Sequence, residues 1–426
     1  MLNRALNVWV FLSKRVACAA VGVLCCLFGI WNSARIGWAR WLATVAAGPQ
    51  QLAAAAESVR WSAADPVTHS TLAARFLDAG RIEEAISESE RAVALRPEDY
   101  RLWLELGILR DRAGDTRGAL AALTQAVRQA PYYSLTHSQL GGLLLKSGRR
   151  EEGLRELYNA VQSDPATHLS IVDLVWRECD QPPEALRQVS PLETPGIRLA
   201  LARFLLRRGR VAEAVALFDG ADRVAGTDRS VFLEDLLAAK YFHEAYAVWA
   251  VGRMGENSGS DARTVITNGS FENKLGWEGA EFEWRFARAG HSIHFALDAD
   301  RPRHGAKSLR IDFGGNIETI ASILSQLIIS EPRARYRLRF AARTKDLVTG
   351  GLPVVAIVDA AGGEQLLAES IPLRQEGDEW RDYQVTFETP AKCTAMRLIL
   401  RRQHCAEEVC PIFGHLWLDA FVLESV

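Results

Sequence analysis

The 426-residue chain lacks a Cys-x-x-Cys pair, an excess of either charge, and any long block of disorder-forming composition. The first absence argues against a thioredoxin-like redox site. A formal net charge of −2 sets up no global field that would mark nucleic acid as a partner. Also missing are a phosphate-cradling glycine loop, a Ser-His-Asp order and a paired-carboxylate site, so the chain reads as non-enzymatic. What is present is length enough for two or three domains, each with its own core. The seven cysteines are unevenly spread: Cys18, Cys25 and Cys26 near the start, Cys179 alone, and Cys393, Cys405 and Cys410 near the end.

The run VACAAVGVLCCLFGIW (16–31) carries no charge and follows Lys14 and Arg15. Sixteen residues make about 24 Å of helix, and extension through Ala34 nearly reaches the ~30 Å hydrocarbon core, with Arg35 able to snorkel. Trp31, Trp38 and Trp41 fall where an interfacial aromatic belt would lie. A cleaved signal peptide is the competing reading, but Asn32-Ser33-Ala34 is a poor cleavage site. Leu24 before Cys25 likewise makes a poor lipoprotein signal. Residues 1–40 are therefore expected to be a cytoplasmic N-terminus and transmembrane anchor, followed by a juxtamembrane connector over 41–65. Basic residues before the span keep the N-terminus inside, which places the rest of the chain in the periplasm of a bacterial inner membrane.

A spacing of 34 residues organises the next part of the chain. Trp103, Leu106, Gly107, Gly114, Ala119, Leu123, Ala126 and Pro131 match His69, Leu72, Ala73, Gly80, Ala85, Ser89, Ala92 and Pro97 one period earlier. One period later stand His137, Leu140, Gly141, Gly148, Gly153, Leu157, Ala160 and Pro165. Small residues let paired antiparallel helices approach, leucines fill the next groove, and proline stops the second helix. This pattern resembles the tetratricopeptide repeat over 66–165. It returns over 197–221 and, more weakly, over 232–250, after a four-proline interruption at 181–196. The resemblance implies a solenoid over 66–252 that binds protein partners in a groove. Serving only as a spacer is the alternative.

Residues 253–263 read as a linker rich in Gly, Ser, Asn and Asp. Beyond it come eight short alternating runs: 281–287, 291–297, 307–313, 335–343, 353–360, 380–389, 396–402 and 415–423. Such a series without strong helices indicates a β-sandwich or jelly roll over 264–426. The order NGSFEN, HGAKSLRIDF, SQLIISEPRARYRLRFAART, EWRDYQVTFETP, GHLWLDAFVLE resembles carbohydrate-binding-module jelly rolls of the family 4/9 type. The fold class is thus multidomain: an N-terminal transmembrane helix, an all-α tetratricopeptide solenoid and an all-β jelly-roll sandwich. The resemblance implies a structural calcium held by the opening Glu and the closing Asp, here Glu272 and Asp419. Ala420 stands where the family usually has a second acidic residue.

Glycan binding requires exposed aromatic or charged groups. Alternation puts Tyr336, Leu338 and Phe340 on one face of their strand and Arg337, Arg339 and Arg343 on the other. The arginines suit a carboxylated or sulfated polysaccharide, or else pair across strands with Asp382 and Glu388. Trp277, Trp284 and Trp417 are either sugar platforms or core packing. Cys405 and Cys410 are read as a disulfide, with free thiols and a zinc set with His404 and His415 as alternatives.

Overall fold

The computed structural model describes the chain apart from Met1 and residues 46–49, 181–182, 195, 219–225, 252–265, 277–280, 288–291, 317–321, 376 and 406–409. The expected linker at 253–263 lies outside the described residues. Two compact units divide the chain, Met1–Leu201 and Ala202–Val426.

The first unit is helical. It opens with α1 (Leu2–Val45) and α2 (Gln51–Trp61), then runs in pairs: α3 (Pro66–Asp78) with α4 (Ile82–Leu95), α5 (Tyr100–Arg112) with α6 (Thr116–Gln129), and α7 (Ser134–Lys146) with α8 (Arg150–Ser163). Next come α9 (His168–Glu178), α10 (Pro183–Gln188) and α11 (Ile197–Arg207), the last straddling the boundary between units. Local signals set the helix ends. Asp65, Asp99 and Asp115 cap α3, α5 and α6 by accepting backbone N–H groups. Gly80, Gly114 and Gly148 take φ near +80° in the intervening turns, a region glycine enters without a Cβ penalty. The small residues do what the period requires. A Cβ on Gly107 would lie 2.6 Å from Leu123 Cγ, and one on Gly141 would lie 2.7 Å from Leu157 Cγ.

A second regularity links one pair to the next. His69, Trp103 and His137 occupy equivalent positions, and each places a ring nitrogen on the carbonyl six residues earlier, that of Ala63, Pro97 and Pro131. These rings satisfy carbonyls at the entry to each pair. His69 and His137 also meet Glu88 and Glu156, each at 2.6 Å. The segment read as a connector contains α2, which packs between α1 and α3.

The second unit holds α12 (Val211–Ala216), α13 (Gly226–Ala238), α14 (Phe242–Val251) and ten strands. The strands are β1 (Arg285–Phe286), β2 (Ile293–Asp298), β3 (Ser308–Asn316), β4 (Leu324–Ile329), β5 (Arg335–Thr349), β6 (Pro353–Asp359), β7 (Gln365–Glu369), β8 (Arg381–Glu388), β9 (Ala395–Arg402) and β10 (Pro411–Ser425). They form two five-stranded antiparallel sheets, β1-β4-β9-β6-β7 and β2-β3-β10-β5-β8. Leu309, Ile311, Leu338, Phe340, Leu416 and Leu418 of the second sheet share one core with Leu324, Ile328, Val355, Leu398 and Leu400 of the first. Tyr246 and Trp249 of α14 pack their rings against Phe282, so the last helix belongs with the sandwich.

The NGSFEN segment turns instead of forming an opening strand. Asn268 and Phe271 both take positive φ. The Gln326 carboxamide accepts from Thr267 N–H and donates to Thr267 C=O, replacing a partner strand.

Candidate functional site

The outer face of the second sheet carries the residues that alternation assigns to it. Arg339 is exposed and ion-paired with Glu424, the cross-strand alternative with a different partner. Arg337 is half-buried. Arg343 departs from expectation: only 2% of its side chain is exposed. Two loops cover it. Its Nη1 lies 3.3 Å from Asp378 Oδ1, and its Nη2 donates to Asp300 O at 3.3 Å. The guanidinium sits 4.0 Å from the Trp417 ring centroid and 5.7 Å from that of Trp380. Burial pushes its pKa below the ordinary arginine value.

Trp417 is 5% exposed, and its indole N–H donates to Asp298 Oδ2 at 2.8 Å. It is packing between Arg343 and Arg310, not an open platform. Trp284 is also core, donating to Asn268 O and stacking on Phe271. Trp277 lies outside the described residues.

The arrangement with more chemical capacity is a cavity of about 700 Å³ at the end of this sheet. Arg301, Thr344, Arg374, Trp380, Arg381 and Tyr383 line it, together with Asp378 and Glu379. The walls are fixed from behind. Thr344 hydroxyl donates to Arg374 O, Arg374 N–H to the Tyr383 hydroxyl, and Trp380 indole N–H to Arg301 O. Arg301 bonds Asp378 at 2.7 Å and holds that carboxyl below the usual carboxylate range. Three guanidiniums against two carboxylates, one of them paired with Arg301, leave a net positive charge beside an aromatic ring, a place for an anion attached to an apolar or sugar-like face. Sequence reading missed the cavity because its loops lie about as far apart as Arg301 and Asp378, 77 positions. The signal available was EWRDY, where Trp380 precedes the alternating strand.

Glu272 and Asp419 face one loop. Glu272 Oε1 accepts from Ala306 and Lys307 N–H, and Asp419 Oδ2 accepts from Arg303 and His304 N–H. Asp419 Oδ1 takes the N–H of Ala420, which has φ +53°. Asp419 is fully buried, and burial pushes its carboxyl pKa up against the pull of those amides. Calcium is bound by oxygens, whereas the groups converging here are N–H donors, which fit a carboxylate and not a cation. Among the described residues no group of three or more His, Cys, Asp or Glu side chains could hold a metal.

Cys405 and Cys410 are joined in a disulfide, with Cα atoms 6.1 Å apart. The buried Arg402 guanidinium lies behind it, donating to Cys410 O and the Thr349 hydroxyl. His415, drawn into the zinc alternative, bonds Asp312 at 2.5 Å.

In the solenoid, Val67, Leu135 and Leu169 are exposed apolar residues on a strict 34-residue ladder, with Arg101 on the missing rung. Successive first helices of the pairs are tied by Ser70 to Glu105 and by Lys146 to Asp111.

No family model matches the chain. The BBSome complex member bbs-4 of Caenorhabditis elegans is 32% identical over 90 residues, 20% of this chain and 20% of that protein. The match thus spans about a fifth of that protein's length. Among solved structures, MamA is 15% identical at a TM-score of 0.28, covering 39% of this chain and 82% of that one. YrrB, a TPR protein with an unusual peptide-binding site, is 16% identical at 0.29, covering 43% and 81%. A CBM4 structure is 14% identical at 0.29, covering 38% and 99%. The assignment of helical repeats followed by a sandwich rests on the chain's own elements.

Proposed function

We propose that the chain is a membrane-anchored, non-enzymatic adaptor of the bacterial envelope. Its repeats bind a protein partner, and its sandwich, a jelly roll of the carbohydrate-binding-module type, binds an acidic glycan. The ladder of Val67, Leu135 and Leu169 supports the first part, since exposed apolar residues at equivalent positions, interrupted once at Arg101, offer repeated anchors to a peptide or helix. One observation carries the second part: Trp380 and three arginines share one cavity. The ring would stack on sugar C–H groups while the guanidiniums take carboxylate or sulfate.

The test is a titration of the detergent-solubilised full chain with a uronic-acid oligosaccharide and its neutral counterpart. The acidic ligand is expected to bind preferentially and to weaken as salt rises from ~0.05 to ~0.5 M. Trp380→Ala and Arg374→Ala should each weaken it tenfold or more, while Arg339→Ala, already paired with Glu424, leaves it unchanged. A second reading, a purely structural interaction scaffold, is favoured by the burial of Trp417. Absence of any acidic-glycan binding would establish it.

A further inference from the structure

The 44-residue α1 has two halves with different surroundings. Val21, Leu24, Phe28 and Trp31 are exposed, and residues 16–34 carry no charge. By length and composition Ala19–Thr44 is a candidate membrane span. Its C-terminal part is otherwise engaged. Ala39 and Ala43 are buried, and Arg40 grips Asp65 with two hydrogen bonds, Nε to Oδ2 at 2.7 Å and Nη2 to Oδ1 at 3.1 Å. Asp65 is also the cap of α3, accepting Val67 N–H. The helix runs through Arg35 into this contact without a break. The segment that can sit in lipid therefore ends near Ala34, where Arg35 bonds Asn32.

α2 packs on both α1 and α3. At one end Gln51 accepts from Arg75, late in α3, and at the other Asp65, four residues after Trp61, is held by Arg40. Arg60 and Trp61 thus come to the end of α2 that lies near Arg40 and the exposed Trp38. Arg60 and Trp61 are themselves exposed, and Arg60 bonds Glu57 in the neighbouring turn. Tryptophan and arginine beside an apolar span are the residue types that partition to the lipid headgroup layer.

We infer that the α1–α2 end of the solenoid rests directly on the headgroup layer of the bilayer, through Arg35, Trp38, Arg60 and Trp61. No flexible tether separates it from the span. This rests on the membrane-anchored reading above. The experiment places a nitroxide, through a genetically encoded ketone side chain, at Phe28, Arg60 or Arg128 of the full chain. Each variant is reconstituted in phosphatidylcholine–phosphatidylglycerol nanodiscs, and collision with oxygen is compared with collision with a water-soluble nickel chelate. Position 28 is expected to report the bilayer interior and position 128 bulk water. Position 60 should give an oxygen-to-nickel ratio several-fold above that at 128, the value of the headgroup layer. A bulk-water ratio at 60 with an interior ratio at 28 overturns the seating and leaves the anchor standing. Bulk-water ratios at both positions overturn both.

Discussion

His168 and His137 stand on successive first helices of the array and titrate in opposite directions. His137 is held above its ordinary value by its hydrogen bond to Glu156, aided by the Pro131 carbonyl. Its contribution to stability is complete below 6.5, the unfolded value, and is lost as pH rises through the raised folded value. His168 is pushed down to about 4 by burial. Ser190 spends its own proton on Leu186 O, so His168 Nε2 must donate to Ser190 Oγ, which leaves Nδ1 without a partner. Its neutral form is the folded one. That contribution is present above 6.5 and is lost as pH falls towards 4, amounting to about 3 kcal/mol for a shift of that size. Helical melting of the chain should therefore peak near neutrality. His168→Leu should flatten the acid limb and His137→Gln the alkaline limb, as read by circular dichroism from pH 4 to 9. An unchanged acid limb in His168→Leu would show that carboxylates elsewhere govern it.

Among the elements, the repeat pairs and the closing strand make the sharpest demands. Gly107→Leu must place a side chain where Leu123 already stands, at a cost of ~1–3 kcal/mol or more. A lowered helical melting temperature is expected, and no change would mean that α5 and α6 meet elsewhere. In β10, Asp419 is a latch for the 303–307 loop. Asp419→Asn, with one acceptor oxygen replaced by a donor, should cost about 1–3 kcal/mol. Because the latch is built from N–H groups, calcium and chelator should give the same melting curve. A calcium-dependent rise abolished by Glu272→Ala would restore the metal site that the family resemblance implies. Strands were legible wherever alternation was strict, as in β8, whose residues switch from inside to outside at every step. The edge strand β7 was not legible, because it pairs only with β6 and buries little. Alternation also assigns Arg343 a face but cannot say that Asp300, Asp378 and Trp380 close over it.

For the whole molecule, the 34-residue period revealed the array because each pair repeats the same close contact. It hid α2, which begins 31 residues before α4 and lies off that period. The cavity beside Trp380 was illegible for a different reason: it joins positions on β5 and β8 to distant loop residues such as Arg301 and Asp378, which carry no periodicity. The compartment remains a prediction at this scale, and the Cys405–Cys410 disulfide offers a direct reading of it. Acid-quenched cells treated with a mass-tagging maleimide should show these two thiols protected until reduction. Immediate labelling of both would place the sandwich in a reducing compartment. On the proposed anchoring, the unbroken α1 would also impose an order on biosynthesis. Arg40 meets its partner Asp65 about twenty residues beyond the end of α1. That stretch would have to be translocated before this end of the molecule could close. Insertion would then precede folding there, and a pause in translocation before Asp65 would leave Arg40 exposed to whatever waits at the exit.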